Sequence, residues 1–97
     1  MSFFTISFTQ KSELEFLDAA LFYEFQQVGL GVRFQSTINK LLQTISKNPY
    51  AYQRKYKHYR EVLAKPFPYL VVYEIGGKEI IVVAIFNAKQ HPNKKFK

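Results

Sequence analysis

Apolar positions along this chain follow three different spacings. From Phe3 to Phe8 they alternate weakly with polar ones, which predicts a short strand. Leu14, Leu17, Leu21, Phe25 and Val28 then recur three and four residues apart, the spacing of one helix face. Ser12 and Glu15 just ahead of them fit an S-x-x-E capping box, in which each side chain serves an orphan backbone N–H at the helix start. Phe16, Phe22 and Tyr23 fall off that stripe, and either widen the core face or form an exposed patch for another protein. A second helical stripe, Phe34, Ile38, Leu41, Leu42 and Ile45, predicts a helix over 32–46 that Asn48-Pro49 stops. Gly29 and Gly31 separate the two stripes by so short a joint that the helices must lie antiparallel, side by side.

The third spacing is a pair of nearly continuous apolar runs, FPYLVVYEI and EIIVVAIFN, either side of Gly76-Gly77 and Lys78. Val, Ile, Tyr and Phe at this density, with two glycines able to take φ > 0, predict a β-hairpin with a two-residue turn at Gly76-Gly77. That register sets Glu74 opposite Glu79, a mildly unfavourable like-charge pair that a longer loop would relieve. Strict alternation divides the second arm into Ile80, Val82, Ala84 and Phe86 on one face and Ile81, Val83 and Ile85 on the other. Apolar on both faces, it reads as a central strand. Between the helices and the hairpin the period is lost in KNPYAYQRKYKHY, an irregular connection leading into a strand at about 56–63. Strand, helical hairpin, then three strands is an α+β arrangement, with both helices on one face of a largely antiparallel sheet.

With 97 residues the chain is expected to form one domain over 1–97, ending in a basic tail at 89–97. No cysteine, no leader pattern and no apolar run of membrane length point to a cytoplasmic protein away from membranes. The net charge of +7 is unevenly spread: residues 1–30 sum to −3 and residues 31–97 to +10. A field so lopsided favours encounters with polyanions or with an acidic protein.

Four segments, in order, carry a family resemblance. AALFYEFQQVGLGVRF (19–34) holds Tyr23, Gly29, Leu30, Gly31 and Phe34; ISKNPYAY (45–52) holds Asn48-Pro49. HYREVLAKPFPYLVVYEI (58–75) holds Arg60, Phe67-Pro68-Tyr69 and Tyr73; VVAIFNAKQHP (82–92) holds Ala84, Phe86, Lys89 and Pro92. Together they resemble the RelE/ParE superfamily, the toxin halves of type II toxin–antitoxin modules, including plasmid stabilisation proteins. The resemblance implies a β-α-α-β-β-β toxin fold and growth inhibition. It also implies a cognate acidic antitoxin that wraps the toxin in a hetero-oligomer and covers the sheet. RelE-like members cut messenger RNA at the ribosome, whereas ParE-like members poison DNA gyrase without nuclease chemistry. Asn87 stands where many relatives carry His, and Gln90-His91 where an Arg pair is common. Both departures fall at ribonuclease positions and tilt the expectation towards gyrase blocking, with a ribosome-dependent ribonuclease and a non-toxic basic protein- or nucleic-acid-binding module as the alternatives.

Metal-free RNA cleavage would need a base, an acid and cations around the phosphate. If the chain is a ribonuclease, its catalytic set is Arg60, Lys89 and His91, with Arg60 and the segment after the last strand meeting at one sheet end. A wider set of Lys55, Lys57, Arg60, Tyr69, Tyr73, Lys89, Lys94 and Lys95 is expected to meet a protein or nucleic-acid partner. Tyr69 and Tyr73, four residues apart and so an even number along one strand, share a face that is either the core under the helices or the groove that an antitoxin fills. The interleaved Tyr and Lys of 50–60 have the composition of a nucleic-acid platform or of a packed, solvated loop. No metal-ligand spacing and no Gly-rich phosphate loop occurs, so no cofactor is expected.

Overall fold

The structure, a computed structural model, describes residues 3–89. Its elements are strand β1 (Thr5–Phe8), helices α1 (Gln10–Gln26) and α2 (Leu30–Lys47), a 3-10 turn at Pro49–Ala51, and strands β2 (Arg54–Tyr56), β3 (Tyr59–Leu63), β4 (Tyr69–Gly76) and β5 (Glu79–Asn87). Both helices lie on one sheet face, the α+β layering that the chain order predicts. The strand order is β1-β5-β4-β3-β2, antiparallel throughout except for the parallel pair β1 and β5. The expected strand at 56–63 is two strands, because Lys57 takes a positive φ of 52° and folds Tyr59 back onto Tyr56.

The central hairpin forms one residue out of the expected register. Gly76 is the last residue of β4 and pairs with Glu79, so the turn is Gly77-Lys78 and only Gly77 has positive φ. Glu74 then faces Ile81, not Glu79, and the like-charge pair never forms. A bulge adds a second correction. Tyr73 pairs with Val82 but Val72 pairs with Ala84, so alternation along β5 slips at Val83. Ile85 therefore joins Ile80 and Val82 under the helices, while Ala84 and Phe86 turn to the opposite face.

Ser12 and Glu15 do not form a capping box. The cap is Thr9, whose hydroxyl accepts from the Ser12 N–H at 3.1 Å, and the freed side chains bind β5 instead. β1 accompanies β5 only as far as Val82; there the Ser12 hydroxyl donates to the Val82 carbonyl at 2.7 Å, and the Ile85 N–H donates to Glu15 Oε1 at 3.0 Å. The first turns of α1 thus continue a ladder that the short strand abandons.

α2 buries the stripe expected of it: Phe34, Ile38, Leu42 and Ile45 are in the core, with Leu41 half-buried. α1 is reversed. It faces the core with Ala19 and Ala20, flanked by Phe16 and Tyr23, whereas Leu14, Leu17, Leu21, Phe25 and Val28 are all at least half exposed. The helix is apolar on both sides, so spacing alone cannot choose its inner face. Packing chooses, since small residues let α2 approach closely: a Cβ on Gly31 would sit 2.5 Å from the Ala20 carbonyl oxygen.

Candidate functional site

Two surfaces follow from this packing. The first is the outer side of α1. Leu17, Ala20 and Leu21 line a groove of about 380 Å³ together with Glu24, Gly31, Val32 and Gln35. Leu14, Phe25 at 85% exposure and Val28 at 90% extend its apolar rim along the helix. At its end Glu24 bridges the helices, its carboxylate accepting the N–H groups of Gly29 at 2.9 Å and Gly31 at 3.0 Å. That carboxylate supplies the α2 N-terminus with the anionic cap that its own N-cap residue, Gly29, cannot provide. The motif that marks this helix joint in the sequence therefore has a mechanical meaning: Glu24 and the two glycines lock the hairpin and shape the groove.

The second surface is the basic, tyrosine-rich side of β2 and β3. Arg60 pairs with Tyr73 across the ladder, which turns its side chain to the helix-covered face. There its guanidinium donates to the Tyr52 carbonyl, reaches the Tyr50 carbonyl at 3.5 Å and lies 5.4 Å from the Tyr50 ring centre. Arg60 thus clamps the turn after α2. Lys55 and Lys57 are exposed on the β2–β3 hairpin, with Lys57 Nζ 5.3 Å from the Tyr56 ring. His58 is paired with Glu74 at 3.0 Å.

The shared face of Tyr69 and Tyr73 is the one under the helices. Tyr73 is fully buried, so the expectation that it touches a partner is overturned: its hydroxyl donates to the Pro49 carbonyl at 2.7 Å. Burial pushes that hydroxyl up to about 12, against a smaller lowering by Arg60 and a further rise from Tyr52. Tyr69 is half-buried against Tyr23 and Phe34, with ring centres at 6.0 and 5.1 Å. Burial raises its pKa too, and a hydrogen bond from Asn87 partly offsets the rise. Tyr23 is raised by burial and then by Tyr69.

Arg60 and Lys89 do not meet. Arg60 lies in the row of Tyr73, whereas Lys89 follows Asn87, which pairs with Tyr69. Four residues of strand, roughly 13 Å, separate those rows. Near Asn87 a cleft of about 350 Å³ is lined by Glu15, Asp18, Ala19, Phe22, Tyr69, Ile85 and Phe86, so two carboxylates border it. His91, Lys94 and Lys95 lie outside the described residues. Among the described residues, no group of His, Cys, Asp and Glu could hold a metal ion, and no helix is long and apolar enough to cross a membrane.

The helix-free face is not bare. Val72, Ala84 and Phe86 are buried there, with Tyr59, Leu70 and Val83 packed against them. Most of the exposed large apolar side chains lie instead on α1 and the helix joint. Their signal was present in the sequence as a helix with apolar residues all round, including Phe22, which is half exposed.

A helical hairpin on one sheet face, with a long apolar stripe turned outwards and a cationic hairpin at the sheet edge, defines a small protein shaped to be held by another macromolecule. The chain belongs to the ParE toxin family of type II toxin–antitoxin systems, whose family model matches residues 6–92, and so to the RelE/ParE superfamily. Among solved structures it is similar to a chain of the chromosomal ParDE toxin–antitoxin system from P. aeruginosa. The two share 14% identity at a TM-score of 0.73, over 89% of this chain and 97% of that one. Among curated proteins, none matches the sequence significantly.

Proposed function

We propose that this toxin is held inactive by a cognate antitoxin seated on the outer side of α1, and that when free it arrests growth by blocking DNA gyrase and not by cutting messenger RNA. Family membership supports the antitoxin. The α1 stripe supports the place, since a partner's apolar face on Leu14, Leu17, Leu21 and Val32 removes from water four large apolar side chains that are each at least half exposed.

The observation that carries the choice of target is the position of Arg60. Its guanidinium is committed to two backbone carbonyls and stands a strand's length from Lys89, so these cations cannot close on one phosphate. The cleft near Asn87 is bordered by Asp18, whose charge repels a phosphate, and by Glu15, whose carboxylate is paired with Lys11 at 2.9 Å.

Induced without its antitoxin, the chain should stop bacterial growth, and the purified protein should inhibit supercoiling by gyrase. Primer extension on total RNA should show no codon-positioned breaks. Breaks that disappear with Arg60→Ala or His91→Ala would establish the ribonuclease instead, and unaffected growth would remove the toxin reading.

A further inference from the structure

The β2–β3 hairpin has features that neither an antitoxin on α1 nor a structural clamp at Arg60 uses. β2 is a three-residue edge strand, exposed at every position. Edge strands commonly carry Lys or Arg to repel other strands, and that alone would explain Arg54 and Lys55. It does not explain the aromatics. Tyr56 is 47% exposed, although burial is the usual gain from an aromatic ring. The Tyr56 and Tyr59 rings are parallel to within 5°, with centres 6.5 Å apart, and His58 lies 4.2 Å from Tyr59.

Charge placement is equally costly to the isolated fold. Arg54 and Arg60 are direct cross-strand partners, a like-charge pair that destabilises a ladder. Lys57 occupies a positive φ of 52°, a conformation suited to Gly or Asn, and its ammonium is held out beside the Tyr56 face. Local strain retained at an exposed cationic tip points to a ligand that rewards it.

We propose that this hairpin binds single-stranded nucleic acid. An unpaired base stacks on Tyr56, and Lys55 and Lys57 hold the sugar–phosphate backbone beside it. Flat faces interleaved with cations suit unpaired bases and phosphates, whereas a duplex hides its base faces. An acidic peptide would use the cations but brings no flat base to the Tyr56 ring.

The test is fluorescence anisotropy with the full chain and a labelled 12-nucleotide oligo(dT), the matching oligo(U), and a 12-base-pair duplex, over a salt series. Single strands should bind more tightly than duplex, and whichever of DNA or RNA binds better identifies the natural class. Tyr56→Leu should weaken single-strand binding about tenfold and leave the salt slope unchanged. Lys57→Gly should lower that slope by about 0.7 while the melting temperature stays the same or rises, because it relieves the positive φ. A loss of binding by this variant therefore cannot be ascribed to unfolding. Single-strand affinity unchanged in both variants would overturn the proposal and place any binding on the chain's other cations. Equal affinity for duplex, or for polyglutamate with the same dependence on Lys57, would overturn it in favour of a purely electrostatic or acidic-protein surface.

Discussion

Replacing Gly31 with alanine tests the helix joint on which both the core and the α1 groove depend. The new Cβ would lie 2.5 Å from the Ala20 carbonyl oxygen, 2.9 Å from Glu24 Oε1 and 3.0 Å from Glu24 Cβ. The first is about 0.9 Å inside ordinary contact, which begins near 3.4 Å, and the obstructing atom is backbone that cannot rotate away. Overpacking of this kind costs about 1–3 kcal/mol. Pushing Glu24 aside also threatens its bonds to Gly29 and Gly31, which as the cap of α2 contribute about 1–2 kcal/mol together. Against this, alanine in place of glycine in a helix returns at most about 1 kcal/mol. The net expectation is a loss of about 2 kcal/mol, which for a domain of this size lowers the melting temperature by about 10 °C. Thermal and urea unfolding followed by circular dichroism would measure it. Gly76→Ala is the control, since its Cβ would meet only Ile81 Cδ1 at 3.7 Å, and it should shift stability by less than about 0.5 kcal/mol. If Gly31→Ala proves as stable as the parent, the helices do not approach this closely and the groove does not have the shape described.

Four further outcomes are expected. Glu24→Ala should lower stability by about 1–2 kcal/mol in urea unfolding, through loss of the α2 cap. Tyr73→Phe should lower it by about 1–2 kcal/mol at neutral pH, because the buried Pro49 carbonyl loses its donor. The Tyr73 hydroxyl ionises near pH 10 when unfolded but near 12 when folded, so the unfolded chain binds fewer protons in that window and parent stability falls as pH rises through it. The phenylalanine variant should lose that part of the pH dependence, about 1.3 kcal/mol between pH 9 and pH 11, when urea unfolding at the two values is compared. Leu17→Asp with Leu21→Asp, both half exposed, should leave stability within about 0.5 kcal/mol yet weaken antitoxin binding a hundredfold or more in calorimetry.

What the sequence made legible was whatever rests on local chemistry. α2 carries one apolar face, so its buried residues are those of its stripe. The β4–β5 hairpin follows from two dense β-forming runs around a glycine pair. The errors have a common cause: a local pattern satisfied two arrangements equally well, and a distant contact decided between them. Ser12 and Glu15 suit a capping box, but Thr9 caps the helix and β5 needs partners beyond the end of β1, so they turn to the sheet. Alternation along β5 is uniform until the bulge at Val83, which exchanges the faces of Ala84 and Ile85 without any change of residue type.

The same reasoning separates the two candidate surfaces. α1 offers two apolar faces and the core can take only one. The face with Ala19 and Ala20 lets α2 come so near that even a Cβ on Gly31 would stand 2.5 Å from the Ala20 carbonyl oxygen, which the bulkier leucine face would forbid. The leucines are therefore left outside by the geometry of the core. Four acidic residues between Glu13 and Glu24 lie along that same helix, against one lysine, which keeps the free stripe hydrated and the copies apart. On this argument the acidity of α1 opposes self-association and does not attract the partner. Glu13→Lys with Asp18→Lys should then leave the fold intact but produce concentration-dependent dimers in analytical ultracentrifugation. Monomers at all concentrations would mean that the exposed leucines are too dispersed to bind anything by themselves.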